Sequence, residues 1–217
     1  MLKVEVMKNI LGENDKIAEE NRNFFKEKNV FVINLMGSPG SGKTSLLELT
    51  IANLKDKVKM AVIEGDLFTA KDAERIERHN VPVIQINTAG GCHLDAAMVK
   101  RAASSLDLDS LDLIIVENVG NLVCPAEFDV GEHEKVVVLS ITEGDDKPLK
   151  YPLIFKESAV AILNKVDILP FTNFDMQSAR DDLTALNPQI KIIETSCTKD
   201  TGIDIWTDWL KSFVKVS

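Results

Sequence analysis

The chain has 217 residues, of which 45% are hydrophobic and 27% are charged, a composition typical of a globular protein that buries a full core. Its formal net charge of −9 argues against general nucleic-acid binding, because an acidic chain gains no affinity from the phosphate backbone. No run approaches the roughly 20 apolar residues that cross a bilayer, and residues 1–16 lack the apolar core of a signal peptide.

The first predicted element is a helix at residues 14–28, a polar segment in which Ile17, Phe24 and Phe25 are interspersed. Scattered apolar residues in a polar helix indicate that it lies against a neighbouring structure. We therefore expect residues 1–29 to form a helical extension packed on the domain, and residues 30–217 to form the domain itself.

Seven apolar runs rich in valine and isoleucine follow, and they are apolar on both faces, as central strands of a parallel sheet are. They cover residues 30–36, 58–65, 81–87, 111–118, 135–142, 159–165 and 190–195. Amphipathic segments between several of them predict helices at residues 43–55, 70–80, 94–106 and 175–186. This alternation predicts an α/β fold with a mostly parallel sheet of about seven strands flanked by helices, rather than an α+β arrangement. Ligands of such folds bind beyond the carboxyl ends of the strands.

The first run ends in the glycine-rich segment GSPGSGKTS, which matches the phosphate-loop pattern G-x-x-x-x-G-K-S/T. Glycines let backbone N–H groups wrap the phosphates, the lysine reaches the β- and γ-phosphates, and the threonine hydroxyl is offered to Mg²⁺. The helix that follows points its positive end at the anion. The alternative is a glycine-rich turn that binds nothing. The expected nucleotide-binding residues are Gly37, Ser38, Pro39, Gly40, Ser41, Gly42, Lys43, Thr44 and Ser45.

The sixth run ends in NKVD, and this position after a phosphate loop favours guanine over adenine. The carboxylate of Asp167 can accept both the N1–H and the exocyclic amine of guanine, whereas adenine would leave that charge unpaired. Asn164 would hold the loop or the N7 edge, and the stem of Lys165 would cover the ring. Backbone amides of the SCT segment after the seventh run are suited to the guanine O6. The residues that favour GTP over ATP are Asn164, Lys165, Asp167, Ser196, Cys197 and Thr198.

Two acidic residues end strands at the same edge of the predicted sheet. Asp66 follows the second run, and Glu117 lies at the end of the fourth, where phosphate-loop enzymes usually carry the carboxylate that holds Mg²⁺. With Thr44 they are candidate Mg²⁺ ligands, and with Lys43 they are candidate catalytic residues. The sequence leaves open which acid serves the metal and which the attacking water, and ordinary strand-end acids are the alternative.

The segment after Glu117 bears on hydrolysis. The amide of Gly120 is a candidate contact for the γ-phosphate. No glutamine follows Gly120, where a Ras-like enzyme keeps its water-positioning residue. We therefore expect slow intrinsic hydrolysis, within roughly a decade or two of unassisted Ras.

Cys92 and His93 are adjacent in INTAGGCHLD, and Cys124 follows soon after Gly120. We expect Cys92 and His93 to open the helix after the third strand and to converge with Cys124 at the nucleotide-facing edge. Since a helix N-terminus lowers the pKa of a thiol, thiolate ligation is favoured, and two thiolates with an imidazole suit Zn²⁺, Ni²⁺ or Co²⁺. From the residues alone, a packed cysteine beside a hydrogen-bonded histidine remains an alternative. The three cysteines form no disulfide framework, so we expect the reducing cytoplasm.

In this order, the phosphate loop, EGD, GGCHLD, ENVGNLVCP and NKVD resemble the HypB family, the nickel-inserting GTPases of nickel–iron hydrogenase maturation. The match runs from about residue 10 to the end, and GGCHLD and ENVGNLVCP are its most specific parts. The resemblance implies a SIMIBI-class G domain that dimerises on GTP and delivers Ni²⁺ to the hydrogenase large subunit, with the metallochaperone HypA as partner. It also implies an interfacial site for Ni²⁺ or Zn²⁺ at Cys92, His93 and Cys124, which the nucleotide biases through the loop from Gly120 to Cys124.

The chain departs from the family pattern at its beginning. Many bacterial members carry an N-terminal Cys-x-x-Cys-Gly-Cys motif or a histidine-rich stretch, whereas residues 1–29 contain neither cysteine nor histidine. We therefore expect neither high-affinity nickel binding nor nickel storage in that segment. His133 is a candidate auxiliary ligand elsewhere in the chain, although a solvated surface histidine is favoured.

Three alternative functions stay open. A urease-maturation GTPase is expected to show Cys-Pro-His, whereas Cys124 and Pro125 are followed here by Ala126. An ATP-dependent kinase or synthetase can use the same sheet, although NKVD argues against it. A metal-binding or scaffold protein with a vestigial phosphate loop is the third.

Overall fold

The computed structural model of the protein describes residues 6–66 and 71–215. Within these residues, seven strands form one sheet: β1 (Phe31–Gly37), β2 (Met60–Asp66), β3 (Val83–Asn87), β4 (Leu113–Glu117), β5 (Glu134–Ser140), β6 (Val160–Asn164) and β7 (Lys191–Thr195). Their order across the sheet is β3-β2-β4-β1-β5-β6-β7, and every neighbouring pair is parallel. The predicted α/β fold is therefore confirmed.

All strands point the same way, so their carboxyl ends lie together at one edge of the sheet, here called the carboxyl edge. β1 is central, and the chain proceeds from it first towards β2 and β3 and later towards β5, β6 and β7. The loop after β1 therefore lies at the switch point of the topology, where ligands of open α/β sheets bind.

Nine α-helices are described: α1 (Val6–Glu27), α2 (Lys43–Leu54), α3 (Lys71–Glu77), α4 (Ala96–Ala103), α5 (Cys124–Glu127), α6 (Lys147–Lys150), α7 (Pro152–Lys156), α8 (Met176–Leu186) and α9 (Ile203–Lys211). Helices α2, α3 and α9 bury apolar side chains against one face of the sheet. Helices α1 and α4, with α5, α7 and α8, cover the other face. No helix in the described ranges is both long and apolar enough to cross a membrane.

Each predicted strand and helix corresponds to an observed element, with differences at the ends. The first helix starts at Val6, earlier than predicted, and packs mainly on α4. Residues 1–5, 67–70 and 216–217 of the predicted ranges lie outside the described residues. Helices α5, α6 and α7 were not predicted because four or five residues are too few to show a helical period. Helix α9 was missed although Ile203, Trp206 and Leu210 are buried at helical spacing.

Candidate functional site

The phosphate loop connects β1 to α2 at the carboxyl edge, beside a cavity of about 440 Å³. Gly42, directly before α2, has a φ of 100°, and a Cβ there would collide with the side-chain amide of Asn164. Glycine is therefore required at Gly42 for both conformation and space. Of the predicted residues, those that line the cavity are Pro39, Gly40, Gly42, Lys43, Thr44, Ser45, Asp66, Glu117, Gly120 and Lys165.

Lys43 and Thr44 occupy the first turn of α2. Lys43 is 7% exposed, and its Nζ donates to the carbonyl oxygens of Gly37 and Ser38, each at 3.3 Å. Burial lowers the pKa of Lys43, while the carboxylate of Glu117 opposes this shift. Thr44 Oγ1 donates to Glu117 Oε1 at 2.8 Å. The hydroxyl and the carboxylate thus come together as the predicted Mg²⁺ site requires.

Glu117 has an acidic neighbour that was not among the predicted site residues. Glu64 of β2 is paired in register with Glu117 of β4, and both line the cavity. They are 3% and 4% exposed, and Oε2 of each is buried without a hydrogen-bond partner. Such unpartnered carboxylate oxygens fit a hard divalent cation such as Mg²⁺. The available signal was strand alternation, since Glu64 lies two residues before Asp66 and shares its face.

Burial dominates the electrostatics of this acidic pair. It raises the pKa of Glu64 to about 8, and repulsion from Glu117 adds to the shift. It raises the pKa of Glu117 to about 7, although Lys43 and the hydrogen bond from Thr44 favour the charged form. Both carboxyls are therefore easily protonated until a cation balances their charge.

The cavity is also lined by Asp66 and by two residues that were not predicted, Asp72 and Arg75. Asp66 ends β2 and is half-buried. Arg75 of α3 donates to Asp72 at 3.0 Å and to Glu48 at 2.5 Å. Its guanidinium also donates to Ser45 Oγ at 3.3 Å, which attaches α3 to the first turn of α2.

The NKVD segment lies directly against the phosphate loop. Asn164 Nδ2 donates to Ser41 O at 2.9 Å, and its Oδ1 accepts from Thr195 Oγ1 at 3.0 Å. Lys165 has a φ of 68°, and its Nζ donates to Gly40 O at 2.7 Å. Asn164 and Lys165 thus join the ends of β1 and β6 around one side of the site.

Asp167 faces the SCT segment that follows β7. Its carboxylate accepts from Ser196 Oγ at 2.6 Å and from Thr198 Oγ1 at 2.9 Å, and these bonds lower the pKa of Asp167. A carboxylate has about four acceptor positions, so capacity remains for the donors of a base edge. Cys197 Sγ contacts Asn164 Oδ1 at 3.7 Å, so the third cysteine belongs to this region.

Cys92, His93 and Cys124 form a cluster at the carboxyl edge, in which the three ligand atoms all lie within 4.8 Å of one another. The two sulfur atoms are 3.0 Å apart, and Cys92 Sγ is 3.6 Å from His93 Nδ1. The ring of His93 stacks on Phe128 with a centroid distance of 3.8 Å. Thiolates with an imidazole suit Ni²⁺, Zn²⁺ or Co²⁺, and three ligands leave a fourth position open.

One expectation about this cluster is corrected. Helix α4 begins at Ala96 with Asp95 as its N-cap, so Cys92 and His93 precede the helix and do not open it. Cys124 does open α5, but its pKa is raised, because of its hydrogen bond with Cys92 and its burial. Burial lowers the pKa of His93, which favours the neutral ring that binds metals.

His133 lies at the opposite edge of the sheet, directly before β5. Its Nδ1 accepts from Val32 N at 3.0 Å, and its half-buried ring stacks on Phe31 with a centroid distance of 5.1 Å. It is therefore neither an auxiliary ligand of the cluster nor the solvated histidine that the sequence favoured.

Comparison with known proteins agrees with this geometry. Residues 31–194 match the family model described as CobW/HypB/UreG, nucleotide-binding domain. The chain is 51% identical over 212 residues to the hydrogenase maturation factor HypB of Escherichia coli strain K12, covering 98% of this chain and 72% of that protein.

Two solved structures are similar over nearly their whole length. A crystal structure of the hydrogenase maturation factor HypB from Archaeoglobus fulgidus has a TM-score of 0.87 and 38% identity, covering 93% of this chain and 98% of that chain. A crystal structure of HypB from Helicobacter pylori in complex with nickel has a TM-score of 0.88 and 38% identity, covering 92% of this chain and 94% of that chain. The resemblance inferred from the motifs is therefore confirmed, and the chain belongs to the HypB family of hydrogenase maturation factors.

Proposed function

We propose that this protein is a GTP-hydrolysing metallochaperone that binds Ni²⁺ and assists its insertion into the large subunit of nickel–iron hydrogenase. The observation that carries the proposal is the cluster of Cys92, His93 and Cys124 at the same sheet edge as the phosphate-loop cavity. The Escherichia coli relative is named as a hydrogenase maturation factor, and the Helicobacter pylori relative was solved in complex with nickel, which supports this function.

In this proposal the segment from Gly37 to Ser45 wraps the phosphates of GTP. Lys43 Nζ exchanges its carbonyl partners for phosphate oxygens, a charge-assisted and stronger interaction. Asp167 accepts the N1–H and amine of guanine, and Gly120 donates its amide to the γ-phosphate. Slow hydrolysis follows from the absence of a glutamine after Gly120.

The acids of the cavity divide into two proposed roles. Thr44 and Glu117 would hold Mg²⁺, and bound Mg²⁺ would supply positive charge against the charge that develops on the phosphates. The hydrogen bond between Thr44 and Glu117 already brings these oxygen ligands together. Asp66, at the half-buried rim, is the better candidate to orient the attacking water.

The remaining proposals concern assembly. GTP promotes a homodimer, a HypA-type metallochaperone supplies the nickel, and the precursor of the hydrogenase large subunit receives it. Zn²⁺ can occupy the same site, since the ligand set suits both ions. The cytoplasm is the proposed location, because the two close thiols of Cys92 and Cys124 must stay reduced to bind a metal.

The test is a titration of Ni²⁺ and Zn²⁺ against a competing chelator, with GDP and with a non-hydrolysable GTP analogue. Cys92→Ala is expected to abolish the tight site, whereas Cys197→Ala is expected to keep it, because that thiol lies outside the cluster. Equal binding by wild type and Cys92→Ala in both nucleotide states would leave the cluster without a metal-binding role.

The nucleotide part is tested separately. GTP is expected to displace a fluorescent GDP from the wild type far better than ATP does, and Asp167→Ala is expected to weaken this preference. Glu117→Ala is expected to retain GTP but to slow turnover at least tenfold, which corresponds to about 1.4 kcal/mol. Unchanged turnover in Glu117→Ala, or equal affinities for GTP and ATP in the wild type, would contradict these assignments.

A further inference from the structure

A five-residue stretch, ENVGN at residues 117–121 and here called the linking segment, contacts both the cavity and the metal cluster. Glu117, Asn118, Val119 and Gly120 line the cavity. A Cβ on Gly120 would lie 2.9 Å from the ring and backbone of Pro39, so this part of the segment is packed tightly on the phosphate loop. The side chains of its two asparagines also form hydrogen bonds with the loop that carries Cys92 and His93.

Asn118 holds the residue directly after His93. Its side chain is 1% exposed, and its Oδ1 accepts from Leu94 N at 3.0 Å and from Val119 N at 2.9 Å. Its Nδ2 donates to Asn34 Oδ1 at 3.1 Å, which fixes the orientation of the amide. One buried oxygen thus joins the backbone of the linking segment to the backbone of the metal-binding loop.

Asn121 holds the residue directly before His93. Its Nδ2 donates to Cys92 O at 3.2 Å, and its Oδ1 accepts from Val123 N at 2.9 Å, next to Cys124. Its own backbone N–H donates to Gly37 O at 3.0 Å, at the start of the phosphate loop. Asn121 therefore contacts the phosphate loop and both halves of the metal cluster.

We infer that Asn118 and Asn121 are positioning residues that transmit the nucleotide state to the metal site. They form hydrogen bonds with Leu94 and Cys92, the two neighbours of His93. Both belong to the segment whose Gly120 amide would bind a γ-phosphate. This inference rests on the proposed function and names the residues through which GTP and the metal affect each other.

The linking segment is held by contacts on two sides. Gly120 is held against Pro39 on one side, and Asn118 and Asn121 flank it along the chain. A phosphate that binds the Gly120 amide must be accommodated by this short stretch, and any shift alters the two side-chain bonds to Leu94 N and Cys92 O. The Sγ and Nδ1 atoms of the cluster then move relative to Cys124. Coupling is reciprocal, so a bound metal alters the affinity for the γ-phosphate by the same factor.

The experiment measures the Ni²⁺ dissociation constant by chelator competition, with GDP and with a non-hydrolysable GTP analogue, for wild type, Asn118→Ala and Asn121→Ala. The matched control is Asn87→Ala, whose side chain accepts from Ala89 N within the same metal-binding loop. Analogue affinity with and without Ni²⁺ supplies the reciprocal ratio. Asn121 is only half-buried, so its variant keeps the test valid where Asn118→Ala fails to fold.

The wild type is expected to show a ratio of Ni²⁺ affinities within the range typical of coupled sites, about 5- to 150-fold. The ratio is expected to fall towards one in both variants and to stay at the wild-type value in Asn87→Ala. Ni²⁺ binding with GDP and nucleotide binding without metal are expected to survive in all of them, which a merely structural loss would not give.

Variants that keep the wild-type ratio would overturn the inference while leaving the proposed function intact. A wild type that binds Ni²⁺ through Cys92 with the same affinity in both nucleotide states would also overturn it, since the nucleotide would then have no effect on the metal site. A wild type whose Ni²⁺ binding does not need Cys92 would instead defeat the proposed function.

Discussion

The floor of the cavity brings together two carboxyls that water can barely reach. Glu64 and Glu117 are neighbours across β2 and β4, and each keeps one oxygen without a partner. A buried carboxylate of this kind costs folding free energy when it is charged. The charged pair therefore lowers the stability of the protein without nucleotide or metal, while its unpartnered oxygens favour the binding of a cation. The loss in free energy of unfolding should be measurable.

This cost predicts how stability depends on pH. The pKa of Glu64 is raised from 4.5 to about 8, so the folded chain binds more protons than the unfolded chain between these values. The free energy of unfolding of the nucleotide-free protein is thus expected to fall as pH rises from 5 to 8, by at most about 1.4 kcal/mol per pH unit for one proton. Glu64→Gln is expected to flatten this slope in urea unfolding measured across that range.

The control for this prediction is Glu19→Gln, which removes an exposed carboxylate from α1. It should leave the slope as it is in the wild type. A slope in Glu64→Gln as steep as that of the wild type would mean that other buried acids, such as Glu132, account for the pH dependence, since burial raises the pKa of Glu132 to about 7.

At the scale of elements, α1 is bonded both to the start of α4, the helix that follows Cys92 and His93, and to the segment after α5, the helix that Cys124 opens. Asn21, which is 1% exposed, donates to Ala96 O at the start of α4 at 2.8 Å, and to Val130 O at 3.0 Å. Asn14 bridges the same two regions, since it accepts from Ala96 N at 2.9 Å and donates to Asp129 O at 2.7 Å. The first helix is thus joined to the domain by buried polar contacts as well as by apolar packing.

These contacts predict that buried contacts of α1 contribute more to the free energy of unfolding than exposed contacts do. Asn21→Ala removes two buried hydrogen bonds and is expected to lower the free energy of unfolding by about 1–3 kcal/mol. Glu20→Ala, which removes an exposed ion pair with Lys100 of α4, is expected to cost no more than about 1 kcal/mol. Urea unfolding of both variants checks this, and equal losses would contradict it.

At the scale of the whole molecule, the carboxyl edge also displays apolar side chains. Phe171, which follows the NKVD segment after β6, is 87% exposed, and Leu149 of α6 is 62% exposed. Exposed apolar groups beside a ligand site are typical of surfaces that bind a partner. The proposed homodimer would bury such groups when GTP is bound.

Sedimentation tests this assembly. The wild type is expected to sediment as a dimer with a GTP analogue and as a monomer with GDP, because only the triphosphate carries the γ-phosphate. Phe171→Ser is expected to weaken the dimer without loss of nucleotide binding, whereas Ile205→Ser, an exposed apolar residue on α9, serves as the control. The same mass for the wild type in both nucleotide states would rule out the nucleotide-driven switch.

The sequence by itself determined the local features of this protein. The seven strands, the glycines of the phosphate loop and the placement of NKVD all follow from patterns within a few residues, because strand periodicity and tight turns depend on local conformation. These patterns identified the α/β fold, and with GGCHLD and ENVGNLVCP they identified the family.

Only the tertiary structure decided which distant residues meet. Glu64 joins Glu117 because β2 pairs with β4 in one particular register, and Asn118 reaches Leu94 across two loops. His133 lies at the wrong edge for the metal cluster because it precedes β5 rather than follows it. Strand order and register fix such contacts, and the periodicity of a single sequence specifies neither, since every parallel arrangement buries the same apolar runs.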